Sequence, residues 1–213
     1  MAERLIGEND HKELVKEFAS FKNDVDVKVI KGPEDNEYTE FTINFLSELS
    51  ELSDKIKVEV LPSDSEISKK NQINVFPYIF LGYDQGYRIE FMGAPLGYEA
   101  RSLIEGIKML ASGKSSLSDN GIKKIGELDT EKTIHVFVTP TCPYCPGSVV
   151  LAHSLAFVNK KVRGICVEAT EAQELSERFN VSSVPQQVVD LKEENITVGA
   201  QPEMKFITEL LNK

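Results

Sequence analysis

Two halves of this 213-residue sequence carry the same signals in the same order, so its fold has to be built from one unit used twice. In the first half, Leu14, Val15 and Phe18 form an apolar stripe at helical spacing, and an alternating stretch from Val25 to Ile30 reads as a strand. A second helical stripe, Phe41, Phe45, Leu49 and Leu52, precedes a strand at 56–60 and a short polar helix at 64–71. Strands at 77–81 and 87–91 follow, then a helix with Leu103, Ile107 and Leu110 inward. The second half repeats this with a short helix at 122–128, a strand at 134–138 and a mostly apolar helix from about 142 to 158. A strand at 162–167, a helix at 171–179, strands at 187–191 and 195–198, and a last helix bearing Phe206, Ile207, Leu210 and Leu211 complete it. Each half reads αβαβαββα, which makes the chain an α/β protein.

The register of the repeat holds at separate landmarks. Six residues lead from Val27 to Pro33 and six from Val136 to Cys142; 44 lead from Pro33 to Pro77 and 43 from Cys142 to Pro185. Both later prolines follow an apolar residue, in Val75-Phe76-Pro77 and Ser183-Val184-Pro185. Gly93-Ala94-Pro95 and Gly199-Ala200-Gln201-Pro202 each precede the last helix of their half, where glycine eases a turn and proline suits a helix start. Between the halves, a Gly/Ser/Asn-rich stretch with one apolar residue, Leu117, reads as a linker. The expected division is therefore a unit over 1–112, a linker over 113–121 and a second unit over 122–213.

A net charge of −10 disfavours nucleic acid and anionic lipid as partners. There is no run of 18 apolar residues, and Met1-Ala2-Glu3-Arg4-Leu5-Ile6-Gly7-Glu8 lacks the apolar core of a secretory signal, so the expected location is the cytoplasm, away from membranes. Three cysteines do not make a disulfide framework, and in a reducing compartment a catalytic or metal role fits them better.

The chemistry centres on Cys142-Pro143-Tyr144-Cys145, which follows a strand and a three-residue loop and opens a helix. Unpaired N–H groups and the positive end of the helix dipole stabilise an anion at such a place, so the Cys142 thiolate is favoured and Cys142 is the nucleophile. Cys145, one turn deeper, is placed to resolve a mixed disulfide on Cys142. Pro143 and Tyr144 tune the thiolate and the access to it. Pro146 removes an N–H that a helix beginning at Cys142 would use, which predicts a slight irregularity.

The run from Phe137 to Pro146, taken with Val184-Pro185, resembles the glutaredoxin-like protein disulfide oxidoreductases of thermophilic archaea and bacteria, and the resemblance covers nearly the whole chain. It implies two tandem thioredoxin-fold units with central mixed sheets that join and are flanked by helices. It also implies disulfide exchange with protein substrates and electrons received from a thioredoxin reductase. By the same resemblance Pro185 is a cis-proline facing the redox pair, and Val184 offers backbone hydrogen bonds to an extended substrate segment.

Two departures qualify the match. Many members carry a second Cys-x-x-Cys in the first unit, but the aligned residues here are Pro33, Glu34, Asp35 and Asn36, so the first unit is redox-silent. Its acidic residues Glu34, Asp35 and Glu37 suit a helix start. Thioredoxins place a buried Asp six residues before the nucleophile, where this chain has Val136, so the proton acceptor for Cys145 is not legible. Glu168 is a weak candidate and reads better as a solvated strand-end charge.

Other readings compete. The N-terminal part of the alkyl hydroperoxide reductase flavoprotein also resembles two fused thioredoxin folds with only the second pair active, which suggests an electron relay to a peroxiredoxin. This chain has no dinucleotide-binding Gly-x-Gly-x-x-Gly, so the expected cofactor complement is none beyond the Cys142–Cys145 disulfide, with any flavin or nicotinamide on a separate protein. Cys-Pro-Tyr-Cys also carries the glutaredoxin dipeptide, yet Gly199-Ala200-Gln201-Pro202 lacks the Gly-Gly of a glutathione-binding turn. A zinc site or an idle pair on a binding module is the non-enzymatic alternative. Cys166 reads as a buried small hydrophobe and His153 as a core histidine, which leaves the expected metal complement at none.

Overall fold

The computed structural model describes residues 4–34 and 36–213; Asp35 and residues 1–3 of the N-terminal reading lie outside them. Helix α1 (Glu8–Phe18) leads to β1 (Val25–Lys31), α2 (Glu37–Glu51), β2 (Ile56–Pro62), α3 (Glu66–Asn71), β3 (Tyr78–Leu81), β4 (Ile89–Met92) and α4 (Glu99–Ser112). The series then repeats as α5 (Asp119–Ile125), β5 (Lys132–Val138), α6 (Cys145–Val158), β6 (Val162–Glu168), α7 (Gln173–Arg178), β7 (Gln186–Val189), β8 (Ile196–Val198) and α8 (Glu203–Leu211). A 3-10 turn, Glu193–Asn195, precedes β8.

The eight strands of the described residues form one mixed sheet in the order β2-β1-β3-β4-β6-β5-β7-β8, so the order of the first unit recurs in the second. The units meet where β4 pairs in parallel with β6, Ile89–Met92 opposite Gly164–Val167. Strands β1, β4, β5 and β6 share one direction, and their carboxyl ends leave from one edge of the sheet.

Alternation along the strands sorts side chains to two faces. Ile134, Val136, Val138 and Cys166 join the main core with Cys142 and Cys145, while Phe137, Ile165 and Val167 pack on the other face with Phe179 and Val188. Helix α6 lies close on the first face: a Cβ at Gly164 in β6 would collide with the Ala152 carbonyl, so only glycine lets the helix settle there. The joint between the units also carries a buried charge lock. Arg163 donates to both carboxylate oxygens of Glu90, 2.8 Å to Oε1 and 2.6 Å to Oε2, and lies 3.2 Å from the Tyr78 hydroxyl, which itself donates to Glu90.

Some boundaries differ from the sequence expectation for local reasons. Helix α5 begins at Asp119, within the stretch expected to be linker, because the Ser118 side chain accepts the Gly121 N–H and turns Ser-Asp-Asn-Gly into a cap and first turn. Leu14 and Phe18 are buried but Val15 is exposed, so the buried stripe of α1 is narrower than its apolar pattern. Strand β7 stops at Val189 because Asp190 and Leu191 take positive φ and turn the chain. Among the described residues, no helix is long and apolar enough to cross a membrane.

Candidate redox site

Strand β5 delivers its chain to the carboxyl edge of the sheet at Val138, and two successive turns follow. Cys142 N donates to the Thr139 carbonyl at 3.1 Å and Cys145 N to the Cys142 carbonyl at 3.4 Å, after which α6 runs on from Cys145. Cys142 and Cys145 are joined by a disulfide with their Cα atoms 5.5 Å apart. Cys142 keeps 7 % of its surface exposed and Cys145 none, whereas Tyr144 between them is 72 % exposed.

The helix thus starts three residues later than the spacing suggested, with Cys142 in the turn before it. This removes the expected irregularity. Pro146 falls in the first turn of α6, where an N–H has no intrahelical acceptor to lose.

Val184–Pro185 is a cis peptide, as is Phe76–Pro77 in the first unit. Gln186 opens β7 opposite Phe137, so the Val184–Pro185 step stands at the edge from which the cysteine loop leaves. Pro185 is buried and Val184 half-buried, and the Pro185 carbonyl accepts the Gly199 N–H at 2.7 Å. In the first unit the matching loop exposes Pro33 and Glu34, and the cap of α2 is Asn36, whose side chain accepts the Thr39 N–H at 2.7 Å, not one of the acidic residues.

A carboxyl group with no distinguishing mark in the sequence is buried where the first unit meets Cys166 of the second. Glu99, in the first turn of α4, is 1 % exposed, and α4 packs against α6. Its Oε2 accepts the Ser102 hydroxyl at 2.5 Å and the Cys166 thiol at 3.8 Å, while Oε1 is buried without a partner among the described residues. Cys166 stands in register with Val136, the position at which thioredoxins carry their buried acid, and both share a core cluster with Cys142 and Cys145. Burial raises the Glu99 carboxyl to about 7, against the weaker pull of its two hydrogen bonds.

The start of α4 is tied to the cysteine loop through backbone. Tyr98 N donates to the Pro140 carbonyl at 3.0 Å, and Gly97, at φ +55°, abuts the same carbonyl so closely that a Cβ there would clash with it.

The other residues weighed from sequence fall into structural roles. Glu168 is buried, not solvated as expected, because its Oε2 accepts the Thr170 hydroxyl at 2.6 Å and the Glu171 N–H at 2.8 Å and folds back on its own loop. Cys166 is buried, and desolvation lifts its thiol well above the usual range. His153 is fully enclosed, donates from Nε2 to the Glu90 carbonyl at 3.2 Å, and is held down to about 4 by burial. Among the described residues no group of three or more His, Cys, Asp or Glu is arranged to hold a metal ion.

A duplicated α/β sheet with a disulfide at its carboxyl edge is the architecture of two joined thioredoxin folds. A thioredoxin domain model matches residues 132–212. The alkyl hydroperoxide reductase AhpF of Pseudomonas aeruginosa is 23 % identical over 158 residues, a stretch covering 74 % of this chain but only 29 % of that longer protein. Among solved structures, a mutant of the alkylhydroperoxide reductase AhpF of Enterococcus faecalis superposes with a TM-score of 0.85 at 28 % identity, covering 96 % of this chain and 98 % of that one. A protein disulfide oxidoreductase from Aeropyrum pernix K1 gives 0.85 at 27 % identity, with 97 % and 92 % covered. Over nearly its whole length this chain is similar in fold to these proteins, with the domain-model match confined to its second unit.

Proposed function

We propose that the chain is a protein dithiol–disulfide oxidoreductase in which Cys142 exchanges with the substrate and Cys145 resolves the intermediate. The observation that carries this reading is the Cys142–Cys145 disulfide at the sheet edge, one residue slightly open to solvent and the other fully covered. In the reducing direction the Cys142 thiolate attacks one sulfur of a substrate disulfide; that bond breaks, and the departing sulfur takes up a proton. Cys145 then loses its proton and attacks the Cys142 sulfur, which releases the second substrate thiol and closes the Cys142–Cys145 bond. Two electrons and two protons have passed to the substrate, and the reverse sequence oxidises a dithiol.

The covered Cys145 thiol needs an internal proton acceptor, and we assign that role to Glu99: a carboxyl that titrates near 7 is matched to take up and return a proton at neutral pH. Its unpartnered Oε1 is the oxygen available for that proton. The first unit, 1–112, is redox-silent on this reading yet provides a group to the chemistry of the second, 122–213.

Pro143 and Tyr144 control access to the sulfur, while Val184 and Pro185 hold an extended substrate backbone alongside it. Electrons enter from a thioredoxin reductase or another flavoprotein, with the disulfide as this chain's own redox group. The likeness to the alkyl hydroperoxide reductase AhpF supports a narrower second reading, a relay from such a donor to a peroxiredoxin.

Trapping tests the cycle. Reduced Cys145→Ser protein mixed with insulin should stall as a mixed disulfide on Cys142 that dithiothreitol releases, and Cys142→Ser should trap nothing. No adduct on the first, or an equal adduct on the second, overturns the assignment. Turnover of insulin by the unaltered protein supports the general oxidoreductase, whereas turnover confined to a peroxiredoxin marks the relay.

A further inference from the structure

We propose that Tyr98, contributed by the redox-silent first unit, forms part of the surface that receives the substrate polypeptide and selects disulfides flanked by an apolar side chain. This rests on the reading of Cys142 as the exchanging thiol.

The sheet brings the two loops together. Strands β4, β6 and β5 are parallel neighbours, so β4 and β5 lie two strand spacings apart, about 10 Å, and release their chains at the same edge. The β4–α4 loop of one unit therefore emerges beside the β5–α6 loop of the other. Backbone contacts then fix their relation: Tyr98 N–H on the Pro140 carbonyl at 3.0 Å, with Gly97 against that carbonyl too. Pro140 is two residues before Cys142, so the Tyr98 backbone is anchored to the segment that carries the sulfur.

Exposure singles out the same place. Tyr144, at 72 %, is the most exposed large apolar side chain among the described residues, and Tyr98, at 50 %, is one of only three that reach half exposure. Tyr144 ends the loop that begins at Thr139, Tyr98 is hydrogen-bonded to that loop, and the residue after Tyr98 is the buried Glu99. A tyrosine in that position offers a large contact area with little rotamer entropy to lose, and its hydroxyl stays in water.

The occupant follows from continuity with the disulfide. A polypeptide that brings a sulfur to Cys142 must rest its neighbouring residues on the ground around that sulfur, and Tyr98 is the exposed first-unit aromatic whose backbone is tied to the loop carrying it. An apolar residue next to the substrate cystine covers the ring and excludes water from it, whereas a serine gains little.

Two cyclic disulfide peptides that differ only in carrying leucine or serine beside one cysteine provide the test. The pre-reduced protein is mixed with each peptide and the rate of exchange followed in single turnover. The unaltered protein should prefer the leucine peptide by about tenfold, the size of an ordinary interface contact. Tyr98→Ala should abolish the preference and Tyr98→Phe should keep it. A preference that survives Tyr98→Ala, or its absence from the unaltered protein, overturns the proposal. So does an equal fall on both peptides, which would make Tyr98 a prop for the loop. Failure of the reduced, unaltered protein to react with either peptide is a different result and sinks the exchange reading itself.

Discussion

Desolvation raises the folded carboxyl of Glu99 from 4.5 to about 7, so the folded chain holds this proton more tightly than the unfolded chain does. The resulting stability is complete below pH 4.5 and is lost as pH rises through about 7, a change of about 3 kcal/mol at about 1.4 kcal/mol per pH unit. Glu99→Gln should remove this share of the pH dependence, so that the urea midpoint of the variant gains on that of the unaltered protein as pH rises through this window. The same variant should slow closure of the Cys142–Cys145 bond by about a hundredfold at pH 7 and flatten its rise with pH. An unchanged rate and pH profile by stopped flow would remove Glu99 from the mechanism. Cys142 and Cys145 announce themselves in the sequence by spacing, whereas this acid does not, because a glutamate in the first turn of a helix is ordinarily a dipole partner. The second unit supplies the ordinary case: Glu203, which opens α8 as Glu99 opens α4, accepts the Ser118 N–H and hydroxyl and so supports the cap of α5. Only burial under the joint between units separates the two glutamates, and no local pattern encodes that.

Among helices and strands, periodicity exposes the order well, because buried stripes and alternating strands leave a pattern that a linear reading can count. The start of α6 is less legible. Nothing in Thr139-Pro140-Thr141-Cys142 distinguishes a helix beginning at Cys142 from two turns before one beginning at Cys145, and Pro146 makes sense only in the second arrangement. Gly93-Ala94-Pro95 stands out as a landmark, yet the residue that matters most lies just beyond it. Gly97 combines a positive φ with backbone contact to Pro140, so a side chain there is both conformationally strained and sterically excluded. Gly97→Ala should therefore cost about 1–3 kcal/mol by chemical denaturation and displace the cysteine loop. Iodoacetamide should consequently alkylate Cys142 of the reduced variant at an altered rate. If the midpoint and the alkylation rate both match the unaltered protein, the α4 loop does not buttress the redox turn.

How two units become one sheet is hidden from a linear reading altogether. The family resemblance implies joined sheets, but the lock that joins them is a pair of ordinary strand charges, Glu90 and Arg163, whose partnership depends on β4 and β6 lying side by side. Only four residues of β4 pair across that joint, too short a ladder to make the second unit's folding conditional on the first by hydrogen bonds alone. The buried Glu90 carboxylate changes the balance, because Arg163 and Tyr78 donate to its two oxygens from opposite units. Removal of the guanidinium leaves that charge uncompensated, a penalty of about 3–5 kcal/mol, whereas removal of both members forfeits far less. The unaltered protein should unfold in one transition that far-ultraviolet dichroism and tyrosine fluorescence report at the same urea concentration. Arg163→Met should lower the midpoint strongly and separate the two probes, and adding Glu90→Gln should restore much of the loss. A midpoint insensitive to Arg163→Met would mean that apolar packing of α4 against α6, not the charge lock, holds the units together.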